Sequence, residues 1–381
     1  MSIAIVGVGE TEPSWRDPRS LPELAADACR LALDDAGLRG QDVEGIATES
    51  ATFGRLVPAD ELAHRIGMRE RPFSAEIGVA GAGTVGALLL AELAIESGVA
   101  DVLVSYYAIN LSRKAGGVYG IHAEEPAKAA FEMPMGFYGQ PVYFAAQAQR
   151  YRHQYGLEDE ELGAIAVSAR LHAARTANAL VRDPLTIEDY MTNAVVAEPL
   201  RKLDCCLVND AGVAFVMTSL ERARDLRRRP VVVAGTGFAS KPVTQAQYFT
   251  QGDILESPAV SSGKQAFARA GVEPASVDVA EIYDCSTISM LLQLEDLGLA
   301  PRGEGAAEAL AGSYDPGGRL PINTHGGLLS QSYSVGAGHI VEAVRQLRGE
   351  RGDAQVPGAE VAVVCGLGAP EHATTVLTED R

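Results

Sequence analysis

Four stretches of the chain are apolar runs rich in β-branched residues: IAIV at 3–6, VLV at 102–104, VVVAG at 231–235 and VAVV at 361–364. Runs without polar alternation suit strands covered on both faces, so each predicts a strand buried between helices. Between them Ala and Leu recur at helical spacing, as in LAADACRLALDDAG (24–37), where Gly37 marks the stop. GKQAFARAG (263–271) repeats that pattern and stops at Gly271.

The runs occur in two matching series. IAIVGVG (3–9) and VVVAGTG (231–237) both end in Gly-x-Gly, 228 positions apart. Each leads to a helix, then through Asp-Val (42–43 and 278–279) to another short apolar strand. GTVGALLLAELAIESGVADVLVSYY (83–107) and YSVGAGHIVEAVRQLRGERGDAQVPGAEVAVVCGLG (333–368) then share an order of small-residue start, long helix and buried strand. An offset of 250 lays Val85-Gly86-Ala87 on Val335-Gly336-Ala337 and Glu92 on Glu342. Four matches in sequence order predict two copies of one strand-helix unit, residues 1–228 and 229–381, with a loop domain of about 108–200 inserted in the first. The length of 381 residues fits such a duplication. The opening GVGETEP lacks a third glycine and runs into proline, so it reads as a turn at a strand end, not as a dinucleotide fingerprint.

Composition narrows the function classes. A net charge of −18 argues against nucleic acid, and ERARDLRRRP (221–230) reads as a solvated helix end. No apolar run reaches membrane-spanning length, and the N-terminus lacks a basic segment ahead of its apolar run. Five cysteines without a paired CxxC read as reduced thiols of a cytoplasmic protein. The seven histidines have no ligand spacing, so no metal site is expected.

PLRKLDCCLVNDAGVAFVMTSLERARDL (199–226) and EIYDCSTISMLLQLEDLG (281–298), set within the duplicated units, resemble the thiolase superfamily in its lipid-transfer-protein or sterol-carrier branch. The resemblance covers essentially the whole chain and implies an α/β fold of α-β-α-β-α layers. In thiolases a cysteine at the start of the first copy's helix attacks a coenzyme A thioester. Here that position, in VAGAGTVGAL, falls on Ala80, and no cysteine lies between Cys29 and Cys205. A methyl group forms no acyl-enzyme, so cysteine-dependent thiolase chemistry is excluded.

Two family histidines are also replaced. The His-Asp-Cys-Phe loop reads Tyr283-Asp284-Cys285-Ser286, and Gly-His-Pro reads Ser332-Tyr333-Ser334. The C-terminal loop survives as Cys365-Gly366-Leu367-Gly368. Loss of the nucleophile with both proton-carrying positions retained resembles the aldolases that shorten steroid side chains. Those cleave 17-hydroxy acyl-coenzyme A esters to propionyl-CoA and a ketone. The resemblance implies retro-aldol chemistry with Tyr283 and Tyr333 as the acid–base pair and Asp284 orienting one of them. An unperturbed phenol titrates near pH 10, so it serves as a base only if its surroundings pull that value down. An oxyanion hole would come from backbone N–H groups around Ala80, Gly81, Gly83, Gly366 and Gly368. Cys285, His325 and Tyr248 are further candidates, and Met135, Phe137 and Tyr138 would line the acyl side. The resemblance also implies no cofactor beyond the coenzyme A of the substrate, a homodimer, and a small OB-fold, zinc-ribbon partner carrying any zinc. The alternative is a non-catalytic thiolase-like subunit that binds lipid or supports an acyltransferase complex.

Overall fold

The computed structural model describes residues 2–50, 57–111, 126, 128–137, 139–243 and 252–380. Its first part holds β1 (Ile3–Glu10), α1 (Leu21–Ala36), β2 (Gly45–Thr48), α2 (Ala59–Ile66), β3 (Phe73–Glu76), α3 (Ala80–Glu96) and β4 (Val102–Asn110). Helices α4 (Gln140–Tyr155) and α5 (Asp159–Ala173) follow, then β5 (Asp210–Ser219). Beyond it come β6 (Val231–Ser240), α6 (Ala259–Ala270), β7 (Val279–Glu281), α7 (Thr287–Asp296), α8 (Val335–Leu347), β8 (Val361–Leu367) and β9 (Glu371–Glu379). Helix α1 begins where Glu23 reaches back to the Ser20 N–H at 2.7 Å, and it stops at Gly37 with φ 74°. Helix α6 stops the same way, at Gly271 with φ 64°.

These nine strands form one sheet in the order β3-β2-β4-β5-β1-β6-β9-β8-β7, and among the described residues Val195–Ala197 and Leu200–Arg201 pair in a separate two-stranded sheet. The two matched runs meet at the centre of the nine-stranded sheet. Ile3, Ala4 and Ile5 pair antiparallel with Val233, Val232 and Val231, an arrangement that places a local two-fold axis between β1 and β6. Outward from that axis each side has an antiparallel neighbour, β5 or β9, and ends in parallel strands.

The apolar runs divide their residues between layers with the two-residue period of a strand. Ile3 and Ile5, Leu103 and Val364 point into a central core that holds α3 and α8. Ala4 and Val6, Val102 and Val104 face α1 in an outer core. Val363 and Val376 face the other outer core, built with α4 to α7. Helices therefore cover both faces of both half-sheets, in five α-β-α-β-α layers with α3 and α8 in the middle.

Two expectations change. The Gly-x-Gly pairs are not turns, since β1 runs through Gly7 and Gly9 to Glu10 and β6 through Gly235 and Gly237 to Ser240. They are places of close approach: a Cβ at Gly7 would enter the Ala32 carbonyl of α1, and one at Gly237 the Ser262 carbonyl of α6. The register of the repeat also changes. Helices α3 and α8 start at Ala80 and Val335, 255 positions apart, so Ala80-Gly81-Ala82-Gly83 corresponds to Val335-Gly336-Ala337-Gly338. Both first residues have positive φ, 50° and 43°, a conformation unusual for alanine and strained for a β-branched valine. We expect Gly237→Ala to cost about 1–3 kcal/mol through overpacking against backbone, read from the denaturant midpoint. No described helix is long and apolar enough to cross a membrane.

Candidate active site

Tyr283 follows β7 and Tyr333 precedes α8, and the middle layer brings the two rings together. Their hydroxyls lie 3.4 Å apart, and each residue is 4% exposed. The 283–286 loop is fixed from two sides. The Gln293 amide on α7 donates to the Tyr283 carbonyl at 2.8 Å. The Asp284 carboxylate receives the Leu328 N–H at 2.8 Å and the Leu329 N–H at 3.4 Å, which ties the loop to the helical turn Gly327–Ser330. Tyr333 is held by its own backbone, whose N–H donates to Asn209 Oδ1 at 2.6 Å. Asn209 in turn donates to Ser332 Oγ at 2.9 Å.

Burial pushes both phenols well above their ordinary pKa, and for Tyr283 the neighbouring Tyr333 adds to the shift. The sequence-level requirement for a depressed phenol is thus reversed: apolar packing disfavours the phenolate, so both hydroxyls carry their protons at neutral pH.

The predicted oxyanion elements also converge, with a change of roles. A Cβ on Gly81 would meet the Tyr283 ring at 2.7 Å and the Leu367 nitrogen at 3.0 Å. One on Gly366 would enter the Gly81 carbonyl, so the start of α3 and the 365–368 loop stack backbone on backbone beside the phenol. Gly83 and Gly368 already have acceptors for their N–H groups. The Gly83 N–H donates to the Val79 carbonyl at 3.2 Å, and the Gly368 N–H to the Glu371 carbonyl at 2.8 Å. Gly83 instead makes room for Glu49. Gly81 lies in the first turn of α3, where helix geometry supplies no internal acceptor for N–H groups.

Cys285 lies 3.4 Å from Ser289 Oγ, and burial pushes its thiol up to about 12, so it is a neutral group beside the site. His325 is buried behind the phenols, its Nδ1 3.2 Å from Glu281 Oε2. Burial opposes its charged form, but Glu281, Glu342 and Asp284 together outweigh this and raise its pKa. Met135 and Phe137, expected on the acyl side, are 78% and 38% exposed and flank Gly136, which lies in the left-handed region. Tyr138 and Tyr248 lie outside the described residues.

Other segments contribute groups that motif reading missed. Tyr107 on β4 is buried, and its phenol is pushed well above its ordinary value, first by burial and then by the neighbouring Tyr333. Cys206, whose N–H donates to the Cys285 carbonyl at 3.1 Å, adds to the upward shift that burial imposes on the Tyr333 phenol. His339 on α8 binds Asp284. Glu281, His325 and His339 have metal-ligand chemistry, with donor atoms within 4.8 Å of one another. Both nitrogens of His339 already have partners within the protein, the Val335 carbonyl at 3.0 Å and Asp284 Oδ1 at 3.2 Å.

A layered duplicate fold with helix starts meeting in the middle and no cysteine at Ala80 defines a thiolase-like protein without the thiolase nucleophile. Residues 240–379 match the family described as thiolase C-terminal domain-like. A steroid side-chain-cleaving aldolase of Thermomonospora curvata is 35% identical across 99% of this chain and 98% of its own length. The 17-hydroxy-3-oxo-4-pregnene-20-carboxyl-CoA lyase of Mycobacterium tuberculosis is 38% identical across 96% of this chain and 97% of its own. The solved Ltp2-ChsH2(DUF35) aldolase superposes with a TM-score of 0.91 at 34% identity, covering 100% of this chain and 98% of that one. The chain belongs to the lipid-transfer-protein branch of the thiolase superfamily, with the aldolases that cleave steroid side chains.

Proposed function

We propose that the protein is a carbon–carbon lyase that cleaves a β-hydroxyacyl-coenzyme A by retro-aldol reaction, with a 17-hydroxy steroid side-chain ester as substrate and propionyl-CoA and a ketone as products. The contact between the Tyr283 and Tyr333 hydroxyls carries this reading. Breaking the Cα–Cβ bond requires a proton to leave the β-hydroxyl and another to reach Cα. The electrons of the broken bond pass into a thioester enolate, and the Cβ–O bond becomes a carbonyl.

Two touching neutral phenols serve this exchange without a free phenolate. The phenol nearer the β-hydroxyl accepts its proton and passes its own to the second, which protonates the enolate carbon. The raised pKa values that would disable a lone phenolate base suit such a relay. The first-turn N–H of α3 at Gly81 is the oxyanion donor we assign to the developing enolate.

Because phenol ionisation is displaced above its ordinary value near 10, turnover is expected to stay level from about pH 7 to about pH 9 and to fall only above about pH 10. Activity that climbs steadily across pH 7–9 would indicate a depressed phenolate base and contradict the relay.

The substrate brings the coenzyme A, and no other cofactor is assigned to this chain. A homodimer through the thiolase-like core is supported by family membership and by β3, the last strand of the sheet among the described residues. A small OB-fold, zinc-ribbon partner is supported by the two-component naming of the Ltp2-ChsH2(DUF35) structure. Cytoplasmic residence is supported by the five free cysteines. The test is incubation of the chain, alone and with such a partner, with a tertiary β-hydroxyacyl-CoA. Paired release of ketone and shortened thioester supports the reading; intact substrate in both mixtures contradicts it.

A further inference from the structure

We infer that His339 is a positioning residue that clamps the two tyrosine-bearing segments together through Asp284. Every polar contact of its buried ring is internal. Nδ1 donates to the Val335 carbonyl at 3.0 Å, at the strained first residue of α8, just after Tyr333. Nε2 meets Asp284 Oδ1 at 3.2 Å, in the residue just after Tyr283. One imidazole thus spans the two segments, two residues from one phenol and one residue from the other.

Its partner has little freedom to move. Asp284 sits against Gly327, where a Cβ would press into the carboxylate, and it accepts the Leu328 and Leu329 N–H groups. Both ring nitrogens of His339 face acceptors, so the ring is held at two points. His325 packs edge-on against the ring with centroids 5.2 Å apart, which fixes its plane. The buried pair Glu281–His325 stands behind it, and Thr324 Oγ1 joins Glu281 at 2.9 Å. A clamp of this kind matters because catalysis through two phenols depends on their separation, and about 1 Å of misplacement costs on the order of a hundredfold in rate.

This inference rests on the aldolase reading for its kinetic test but not for its structural one. Two near-isosteres divide the roles of the ring. In His339→Asn the side-chain amide overlays Nδ1 and keeps the Val335 contact, while the Asp284 contact is lost. In His339→Gln the amide overlays Nε2 and keeps Asp284. We expect kcat to fall about a hundredfold in the Asn variant with KM within about twofold, and the Gln variant to stay within about fivefold of wild type.

Crystal structures of both variants read the Tyr283–Tyr333 separation whether or not any ester is turned over. The Gln variant is expected to keep the phenols in contact and the Asn variant to part them. Should the Asn variant fail to fold, Asp284→Asn, which keeps the shape but removes the carboxylate, is expected to part them too. Variants that behave alike, or phenols still in contact after loss of the Asp284 link, overturn the clamp. An inert wild type would overturn the aldolase reading and leave this structural outcome standing.

Discussion

Tyr333→Phe and Tyr283→Phe are each expected to reduce turnover of a β-hydroxyacyl-CoA by about a hundredfold to ten-thousandfold, the range lost with a general acid–base group. Each substitution removes one hydroxyl and leaves the ring, so the central core that holds both tyrosines keeps its apolar packing. Thermal stability should therefore stay near that of wild type. The hydroxyls bond to each other, so each single variant also leaves the surviving hydroxyl without that partner. The relay needs both, and the double variant should be little worse than either single one. Rates that fall in proportion at each step, as for independent groups, would argue for two separate roles. Steady-state kinetics on the three variants, with melting curves as control, makes the distinction.

Gly81→Ala should be almost as damaging for a different reason. The added methyl would meet the edge of the Tyr283 ring at 2.7 Å and the Leu367 nitrogen at 3.0 Å, both closer than packed atoms allow. The Gly81 carbonyl is itself pressed against Gly366, so the start of α3 has little room to retreat. The ring must yield, and Tyr283 carries its hydroxyl away from Tyr333. We expect a loss of about a hundredfold in kcat together with about 1–3 kcal/mol of stability. Kinetics and denaturant unfolding on one preparation check both parts. Wild-type turnover in a folded Gly81→Ala variant would show that this stacking does not set the phenol.

The chemistry of the site was legible where it lay inside a motif. Tyr283-Asp284-Cys285 and Ser332-Tyr333-Ser334 stand at loop positions where a duplicated unit must converge, and the fold brings their hydroxyls into contact. The absence of a cysteine from Ala80 was readable directly, and it removed a whole class of mechanism. Asn209, Cys206 and Tyr107 were not legible, because each reaches the site from a segment distant in sequence and none carries a spacing signal. His339 was hidden by the register of the repeat. Matching Val-Gly-Ala gave an offset of 250, whereas the helix starts fix it at 255 and set His339 beside Thr84 of the first copy.

The direction of the phenol shifts was also out of reach. Whether a tyrosine is pulled down by cations or pushed up by apolar neighbours depends on packing, and the central layer puts Leu328, Val335 and Leu367 in the same core as the two phenols. Nor did the apolar character of Met135 and Phe137 disclose that both lie exposed beside the turn at Met133–Met135.

The relay itself is tested most directly by a proton inventory. The single-turnover rate constant for cleavage would be measured across mixtures of light and heavy water, so that product release does not mask the bond-breaking step. A proton handed through both phenols moves several hydrogens in one transition state, and the rate should bow below the line joining the pure solvents. A straight line would mean one proton in flight, and Tyr283 and Tyr333 would not be acting as one unit.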